Sequence, residues 1–373
     1  MLPSNHILIA NEDATIEAIV DETEAGDDVQ VLNGIITPGF INSHCHLELS
    51  HMKGLVPEHT GLVDFVFSIV TQRHFAEGEI TAAIKNGEDE MLANGIVAVG
   101  DICNNMLTLP QKQQQRLAYY NFVEVSGWNP SIAAMRFQKS MEYYTGFSQL
   151  PIRNSQLSLS PHAPYSVSNE LWELLQTGFP NKTVTIHNQE TAFEDALFKA
   201  GSGDFLRMYQ AMGIDNSFFV PTSKSSLQSY IGKMEDARNV LLVHNTFSSE
   251  EDIASVQQLA SKLLQPTFFC LCPNANQYIE NAMPPLDVLR KYNAAIVLGT
   301  DSLASNWSLS IVDEIKTLRK HFPLVPLEEM LQWATINGAK ALQMDKKLGS
   351  FEKGKKPGIV SLSEDLTELK RIM

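Results

Sequence analysis

Gly39-Phe40-Ile41-Asn42-Ser43-His44-Cys45-His46 is a short, largely apolar run that ends in two histidines. The pattern recurs. Further β-rich runs lie at 96–103, 118–126, 157–162, 183–187, 239–244, 267–272 and 294–301, making eight. Several close on a titratable residue: His162, His187, His244 and Asp301. Helical patterns lie between them, for example Ile80–Leu92, Glu170–Gln176 and Ser249–Leu264. Strands alternating with helices imply parallel βαβ units, and eight in succession predict an α/β chain folded as a (β/α)8 TIM barrel. An open doubly wound sheet is the alternative, but no Gly-rich phosphate turn follows the first strand. The placement of the polar groups decides between them, because barrel enzymes carry their chemistry at the C-terminal ends of the strands. Five of the ten histidines occupy such tips. A structural core does not favour them there, since a buried imidazole needs a partner for each ring nitrogen.

Working outward, both ends of the chain read as β. Ile7–Ala10 and Ile16–Val20 are strand-like and separated by acidic turns. The stretch Lys347–Gly358 leads into a strand-like Ile359–Leu362. The expected organisation is a small β-sandwich domain built from 1–36 and 347–373, around a barrel at 37–346. The length of 373 residues suits one large barrel with such an addition. Hydrophobic residues make up 44% and charged residues 19%, an ordinary globular balance that rules out wholesale disorder.

With 28 Lys+Arg against 43 Asp+Glu the formal charge is −15. That argues against nucleic acid, which wants a basic face, and against electrostatic docking on anionic membranes. A small anionic ligand stays open, since a pocket can differ from the mean surface. Cys45, Cys103, Cys270 and Cys272 form no CxxC pair, so the thiols suggest a reducing compartment. No signal-peptide pattern and no run of ~18 apolar residues is visible, and the expected location is the cytoplasm. A homodimer is a possible assembly.

His44 and His46 are two apart on a strand. The period of two puts both imidazoles on one face and Cys45 on the other. If that face is the barrel interior, two neutral nitrogens converge as a borderline divalent cation requires. An isolated pair of this kind is common, and its context carries the weight.

That context resembles a known family. Ile36-Thr37-Pro38-Gly39-Phe40-Ile41-Asn42-Ser43-His44-Cys45-His46-Leu47-Glu48 resembles the first-strand signature of the amidohydrolase superfamily. Ser160-Pro161-His162-Ala163-Pro164 resembles the fourth-strand motif of its nucleobase-deaminase and chlorohydrolase branch. His187-Asn188-Gln189-Glu190 resembles the fifth-strand His-x-x-Glu, Val243-His244-Asn245 the sixth-strand histidine, and Gly299-Thr300-Asp301-Ser302 the eighth-strand aspartate. The resemblance implies one divalent metal held by His44, His46, His187 and Asp301. There is no strand-tip lysine of the kind the dinuclear branch uses as a bridge. Three imidazoles and a carboxylate favour Zn2+, with Fe2+ or Mn2+ also compatible.

The chemistry follows the same resemblance. A catalytic metal keeps a position for water and lowers its pKa towards ~7. Asp301 can bind weakly and take the water's proton, and His244 would orient or polarise. Glu190, three residues past His187, can protonate a heterocycle nitrogen and make the adjacent carbon electrophilic. His162 and Glu48 are assigned to substrate binding.

The His46-Leu47-Glu48-Leu49-Ser50 form and Ala200-Gly201-Ser202-Gly203-Asp204-Phe205 look most like aminodeoxyfutalosine deaminases. Those convert 6-amino-6-deoxyfutalosine to futalosine and ammonia on a route to menaquinone. The rival substrates are methylthioadenosine or S-adenosylhomocysteine, guanine, or a chlorinated heterocycle. A catalytically dead barrel used as a scaffold is the rival of a different class, but such relatives lose ligands, and His44, His46, His187, Glu190, His244 and Asp301 are all present. Ala275 stands where relatives carry Ser, and Lys355-Lys356 where they carry Ala-Asp. No arginine stands out in so acidic a chain as a clamp for a substrate carboxylate.

Overall fold

The computed structural model describes residues 5–26, 28–149 and 155–373. Its strands, in chain order, are β1 (His6–Ala10), β2 (Ile16–Asp21), β3 (Ile35–Pro38), β4 (Phe40–Cys45), β5 (Ile96–Cys103), β6 (Ala118–Val125), β7 (Ser155–Pro161), β8 (Thr183–Asn188), β9 (Asn239–His244), β10 (Thr267–Leu271), β11 (Ala295–Leu298), β12 (Ile359–Leu362) and β13 (Leu369–Arg371).

Strands β4 to β7 form one parallel sheet and β8 to β11 a second. Two seams close them into a barrel. At β7/β8, the N–H of Thr185 donates to Ser160 Oγ (3.3 Å) and the N–H of His187 to the carbonyl of His162 (3.0 Å). At β11/β4, the N–H groups of Thr300 and Asp301 both donate to the His44 carbonyl, at 3.0 and 3.1 Å. The eight runs expected from sequence match β4–β11. Helices cover the outside, so β4, β8, β9 and β10 are buried along their whole length. This is why they read as near-continuous apolar runs rather than alternating ones.

Alternation is nevertheless present and sorts the core in two. Ala98, Ile102, Tyr120, Phe122, Leu241 and Val243 pack inside the barrel. Their neighbours Val99, Cys103, Tyr119, Val123 and Leu242 pack outward under the helices. Strand β4 departs from strict alternation: Ile41 is in the inner cluster, yet Cys45, four residues on, is in the outer one. A bulge between Asn42 and Cys45 changes the parity. It turns Cys45 away from the face that carries His44.

At the chain ends, β1 and β2 form an antiparallel hairpin, and β3 joins β12 and β13 in a three-stranded antiparallel sheet. N- and C-terminal segments thus share a sheet. The terminal segments are thus β, as expected, but form two separate small sheets among the described residues, and the expected sandwich is not shown. β1 is only half-buried throughout and Ile19 of β2 is exposed, which leaves the hairpin too little buried apolar surface for a core of its own. Among the described residues no helix is long and apolar enough to cross a membrane.

One buried ion pair braces the barrel next to the paired histidines. Lys112 is fully buried, with Nζ 2.5 Å from Asp101 Oδ2 and 2.8 Å from Asn121 Oδ1. Asp101 Oδ1 accepts the N–H of Leu47, the residue after His46, at 2.9 Å. Lys112→Met strands an unpaired buried carboxylate, and we expect about 3–5 kcal/mol loss of stability in urea unfolding. Asp101→Leu added to Lys112→Met should recover most of it, and a double variant no better than the single would contradict this account.

Candidate active site

The strand tips deliver the candidate residues to one place. His44 comes from β4 and His46 from just beyond it, His187 from β8, His244 from the end of β9 and Asp301 from the turn after β11. His44, His187, His244 and Asp301 each offer a ligand atom within 4.8 Å of the others. His46 belongs with them: its Nε2 lies 3.2 Å from His187 Nε2 and 3.3 Å from Asp301 Oδ1, and His44 Nε2 is 3.5 Å from the same oxygen. Ligands about 2.1 Å from a tetrahedral metal stand roughly 3.4 Å apart, so these spacings are those of a shared ion. His44 supplies a second sign. It is fully buried, and neither ring nitrogen has a hydrogen-bond partner, a costly arrangement unless something binds there. The residues present therefore fit a divalent metal.

Local backbone geometry makes the convergence possible. His244 and Asp301 have φ of 72° and 56°, in the left-handed region that side-chain-bearing residues rarely adopt. Each turns its side chain inward where the strand would otherwise run on. Gly299 lets β11 come close to β4, since a Cβ there would stand 2.8 Å from His44 Cβ and 2.9 Å from its carbonyl.

Outer partners fix the rings. His187 Nδ1 donates to the His162 carbonyl (2.8 Å), which leaves Nε2 for the cluster. His244 Nδ1 meets Asn276 Oδ1 at 2.9 Å. Asp301 Oδ2 accepts from Ser305 Oγ at 2.5 Å. Burial lowers the pKa of His46, His162, His187 and His244, keeping them in the neutral form that ligates. Burial also pushes the Asp301 carboxyl up, but the imidazoles of His44, His46 and His244 around it outweigh this and hold it well below the carboxylate range.

Glu190 lies just past β8, almost wholly buried, with Oε1 3.6 Å from His244 Nε2. Burial, then the charges of Asp301 and Glu280, raise its carboxyl well above the ordinary value.

Above the cluster opens a pocket of about 460 Å³. His46, His187, Glu190, His244 and Asp301 line its floor, and His162 and Glu48, the two residues expected to bind substrate, line its side. His162 Nδ1 is 2.8 Å from Ser166 Oγ. Glu48 accepts the N–H of Asn104 at 3.0 Å, and burial pushes it up to about 8. Asn104 also donates through Nδ2 to Glu124 Oε2 at 2.8 Å, so one residue holds two acids. Glu124, His162 and His187 make a second close trio. In it His187 Nδ1 is committed to a carbonyl and Glu124 Oε2 to Asn104.

Sequence reasoning passed over several pocket residues. Leu62, Phe65, Val66 and Ile69, on the helix Leu62–Gln72, form an apolar wall, while Arg73, Arg136 and Lys139 stand around the same pocket. The missing positive groups are thus present. Arg136 and Lys139 lie on the helix Ala133–Ser148, whose sequence gives no sign of which face meets the site. Glu124 was findable, because it sits near the end of β6 and obeys the same strand-tip rule as the histidines.

The chain resembles known proteins along most of its length. The profile of the amidohydrolase family matches residues 35–372. The chain is 25% identical over 348 residues to an adenosine deaminase of Helicobacter pylori, covering 91% of this chain and 82% of that one. It is 26% identical over 381 residues to a 5-methylthioadenosine/S-adenosylhomocysteine deaminase of Thermoanaerobacter pseudethanolicus, covering 95% and 77%. Among solved structures, Helicobacter pylori aminofutalosine deaminase superposes with a TM-score of 0.77 at 23% identity, covering 97% of this chain and 92% of that one. An adenosine deaminase from Xanthomonas campestris with bound zinc gives 0.70 at 19% identity, covering 97% and 80%.

Proposed function

We propose that this chain, which belongs to the amidohydrolase family, hydrolytically removes the 6-amino group of an adenine nucleoside, and that its substrate is 6-amino-6-deoxyfutalosine, giving futalosine and ammonia. The observation that carries the deaminase reading is Glu190, a buried carboxyl whose proton is held more tightly than usual by burial, beside His244 at the edge of a metal-ligand cluster. In this reading His44, His46, His187 and Asp301 hold the metal, and zinc suits three imidazoles and a carboxylate. When bound, the metal lowers the pKa of water towards about 7.

The remaining roles belong to the chain's own groups. Glu190 gives its proton to the ring nitrogen next to the amino-bearing carbon, and that carbon becomes electrophilic. Asp301 accepts a proton from the attacking water, while His244, held by Asn276, orients it. The carbon–oxygen bond forms, the proton passes to the amino group, and the carbon–nitrogen bond breaks to release ammonia. The product ring keeps the proton that Glu190 gave, and the new hydroxyl gives up the water's second proton as it becomes the carbonyl, which balances the proton that Glu190 takes back. His162 contacts the purine. Glu48 and Glu124, held together by Asn104, are placed to accept ribose hydroxyls.

The finer substrate assignment rests on charge. Arg136 Nε and Nη2 donate to the carbonyl and Oγ of Ser126, at 2.5 and 2.8 Å, and no carboxylate pairs with it among the described residues. An arginine left without an acid in a chain of charge −15 is a ready partner for an anionic ligand. The apolar wall of the same pocket suits the ring of a benzoate tail. The same reading puts the reaction in menaquinone biosynthesis, in the cytoplasm, with 37–346 as the catalytic barrel and 1–36 with 347–373 as its support, in a chain that pairs as a homodimer. S-adenosylhomocysteine is the second reading, because it too ends in a carboxylate.

Ammonia release across a panel of aminodeoxyfutalosine, S-adenosylhomocysteine, methylthioadenosine and guanine tests the assignment. The highest kcat/KM is expected for aminodeoxyfutalosine. Arg136→Ala should cost that substrate roughly 10–100-fold in KM, the value of a hydrogen bond to a charged group, and leave methylthioadenosine within about twofold. Faster turnover of methylthioadenosine or guanine by the unaltered enzyme would overturn the substrate, and a flat response to Arg136→Ala would overturn the clamp.

A further inference from the structure

Behind the pocket, out of reach of any substrate, the side chain of Glu314 joins two active-site loops. It is fully buried on the helix Ile311–His321. Its Oε1 accepts from Asn306 Nδ2 at 2.7 Å, and its Oε2 accepts the backbone N–H of Asn274 at 2.9 Å. Each partner leads directly to the site. Asn306 Nδ2 also donates to the carbonyl of Thr300, the residue before Asp301, at 2.7 Å. Asn274 lies in the first turn of the helix Pro273–Glu280, which carries Asn276, the partner of His244 Nδ1. The Thr300 N–H and Oγ1 are further tied to the side-chain amide of Asn42, two residues before His44, at 3.1 and 2.7 Å.

We infer that Glu314 is a positioning residue that couples the placement of Asp301 to the orientation of His244. The inference rests on the deaminase reading only for its kinetic arm. Both groups around Glu314 are N–H donors, so the carboxylate is the one side chain of this length that accepts from both at once. Both bonds lie in a dry interior, where hydrogen bonds are strongest, and they pull the carboxyl down against the burial that pushes it up to about 8. Asp301 itself stands in the left-handed region at φ 56° and needs an outside restraint to stay there. A shift of an ångström at either loop misplaces a proton acceptor or tilts an imidazole, and misplacements of that size cost rate heavily.

Glu314→Gln tests this with little change of shape. Glutamine has one acceptor and one donor end, so it sets an N–H against one of the two N–H partners. Expected are a fall in kcat of about 10–100-fold, as for other partners that hold metal-site residues from behind, with KM within about twofold and one zinc still bound per chain. The visible absorption of the cobalt-substituted protein should change, because Asp301 has moved. In a double-mutant cycle with Asn276→Ala, the double variant should lose less than the product of the two single losses, since both act through His244. Unchanged kcat, losses that multiply independently, or a loss that follows the unfolded fraction in a parallel urea titration would overturn the inference. If the unaltered protein releases no ammonia from any substrate, the deaminase reading fails by itself. The cobalt spectrum then decides alone, and an unchanged spectrum in Glu314→Gln would overturn the positioning role.

Discussion

Glu190→Gln is expected to fold, to keep its metal and to lose about 10²–10⁴-fold in kcat, the usual share of a general acid–base step. Glutamine matches the shape and keeps a polar contact towards His244 Nε2, 3.6 Å from Oε1 in the unaltered chain, but has no acidic proton to give. The pH profile sharpens the test. Burial and the nearby charges of Asp301 and Glu280 hold the Glu190 carboxyl protonated well above its ordinary range. The unaltered enzyme should therefore lose activity on the alkaline side as Glu190 ionises, and that limb should vanish in the variant. The stability effect has the opposite sense. A carboxyl whose folded pKa lies above its unfolded one contributes stability that is complete below about 4.5 and is lost as the pH rises through the folded value. Glu190→Gln removes that dependence, so the variant should gain on the unaltered chain as the pH rises from 5 to 8. Ammonia release, zinc content and thermal unfolding of the two proteins settle all three points, and turnover within about threefold of the original would remove Glu190 from the chemistry.

The strand tips were legible in the sequence because one physical rule governs them: a polar residue at the end of an otherwise apolar barrel strand must face either solvent or a site. His44, His46, His162, His187, His244 and Asp301 all obey it, and all line the pocket or the ligand cluster beneath it. The means by which they converge was less visible. The period of two assigned His44 and Cys45 to opposite faces, but a bulge after Asn42 resets that count. The left-handed turns at His244 and Asp301 have no glycine to announce them. Contacts across the fold were the least visible. Arg136 reaches the pocket from a helix that follows β6, and Glu314 reaches Asn274 across 40 positions and Asn306 across 8. Nothing in the local pattern around either residue separates it from an ordinary helix-surface charge. The small β unit was legible only as strands. Its strands read well, but the burial of each determines how sheets stack, and β1 is only half-buried.

Stripping the metal is expected to abolish ammonia release and to lower thermal stability, with added zinc restoring both. The ligand set itself gives the reason. His44 is sealed from water with both ring nitrogens unpartnered, and its neighbours are imidazoles held neutral by burial, crowded 3.2–3.5 Å around one carboxylate oxygen and one another. Without an ion these groups face one another with too few protons to share, and buried polar groups left so are costly. Metal that binds the folded chain and not the unfolded one stabilises by about 4 kcal/mol when free zinc exceeds its Kd a thousandfold. For a chain of this length that corresponds to roughly 5 °C in Tm. The pH dependence has a definite sign. Unfolded histidines bind protons below about 6.5 while His46, His187 and His244, their pKa lowered by burial, resist protonation in the folded chain, so stability falls as the pH drops through that value. Zinc, which needs the same neutral nitrogens, should bind more weakly over the same interval. Calorimetry of the chelated and reconstituted protein at pH 5.5 and 7.5 measures both effects. A chelated protein that keeps its Tm and still releases ammonia would show that the five converging side chains hold no working metal.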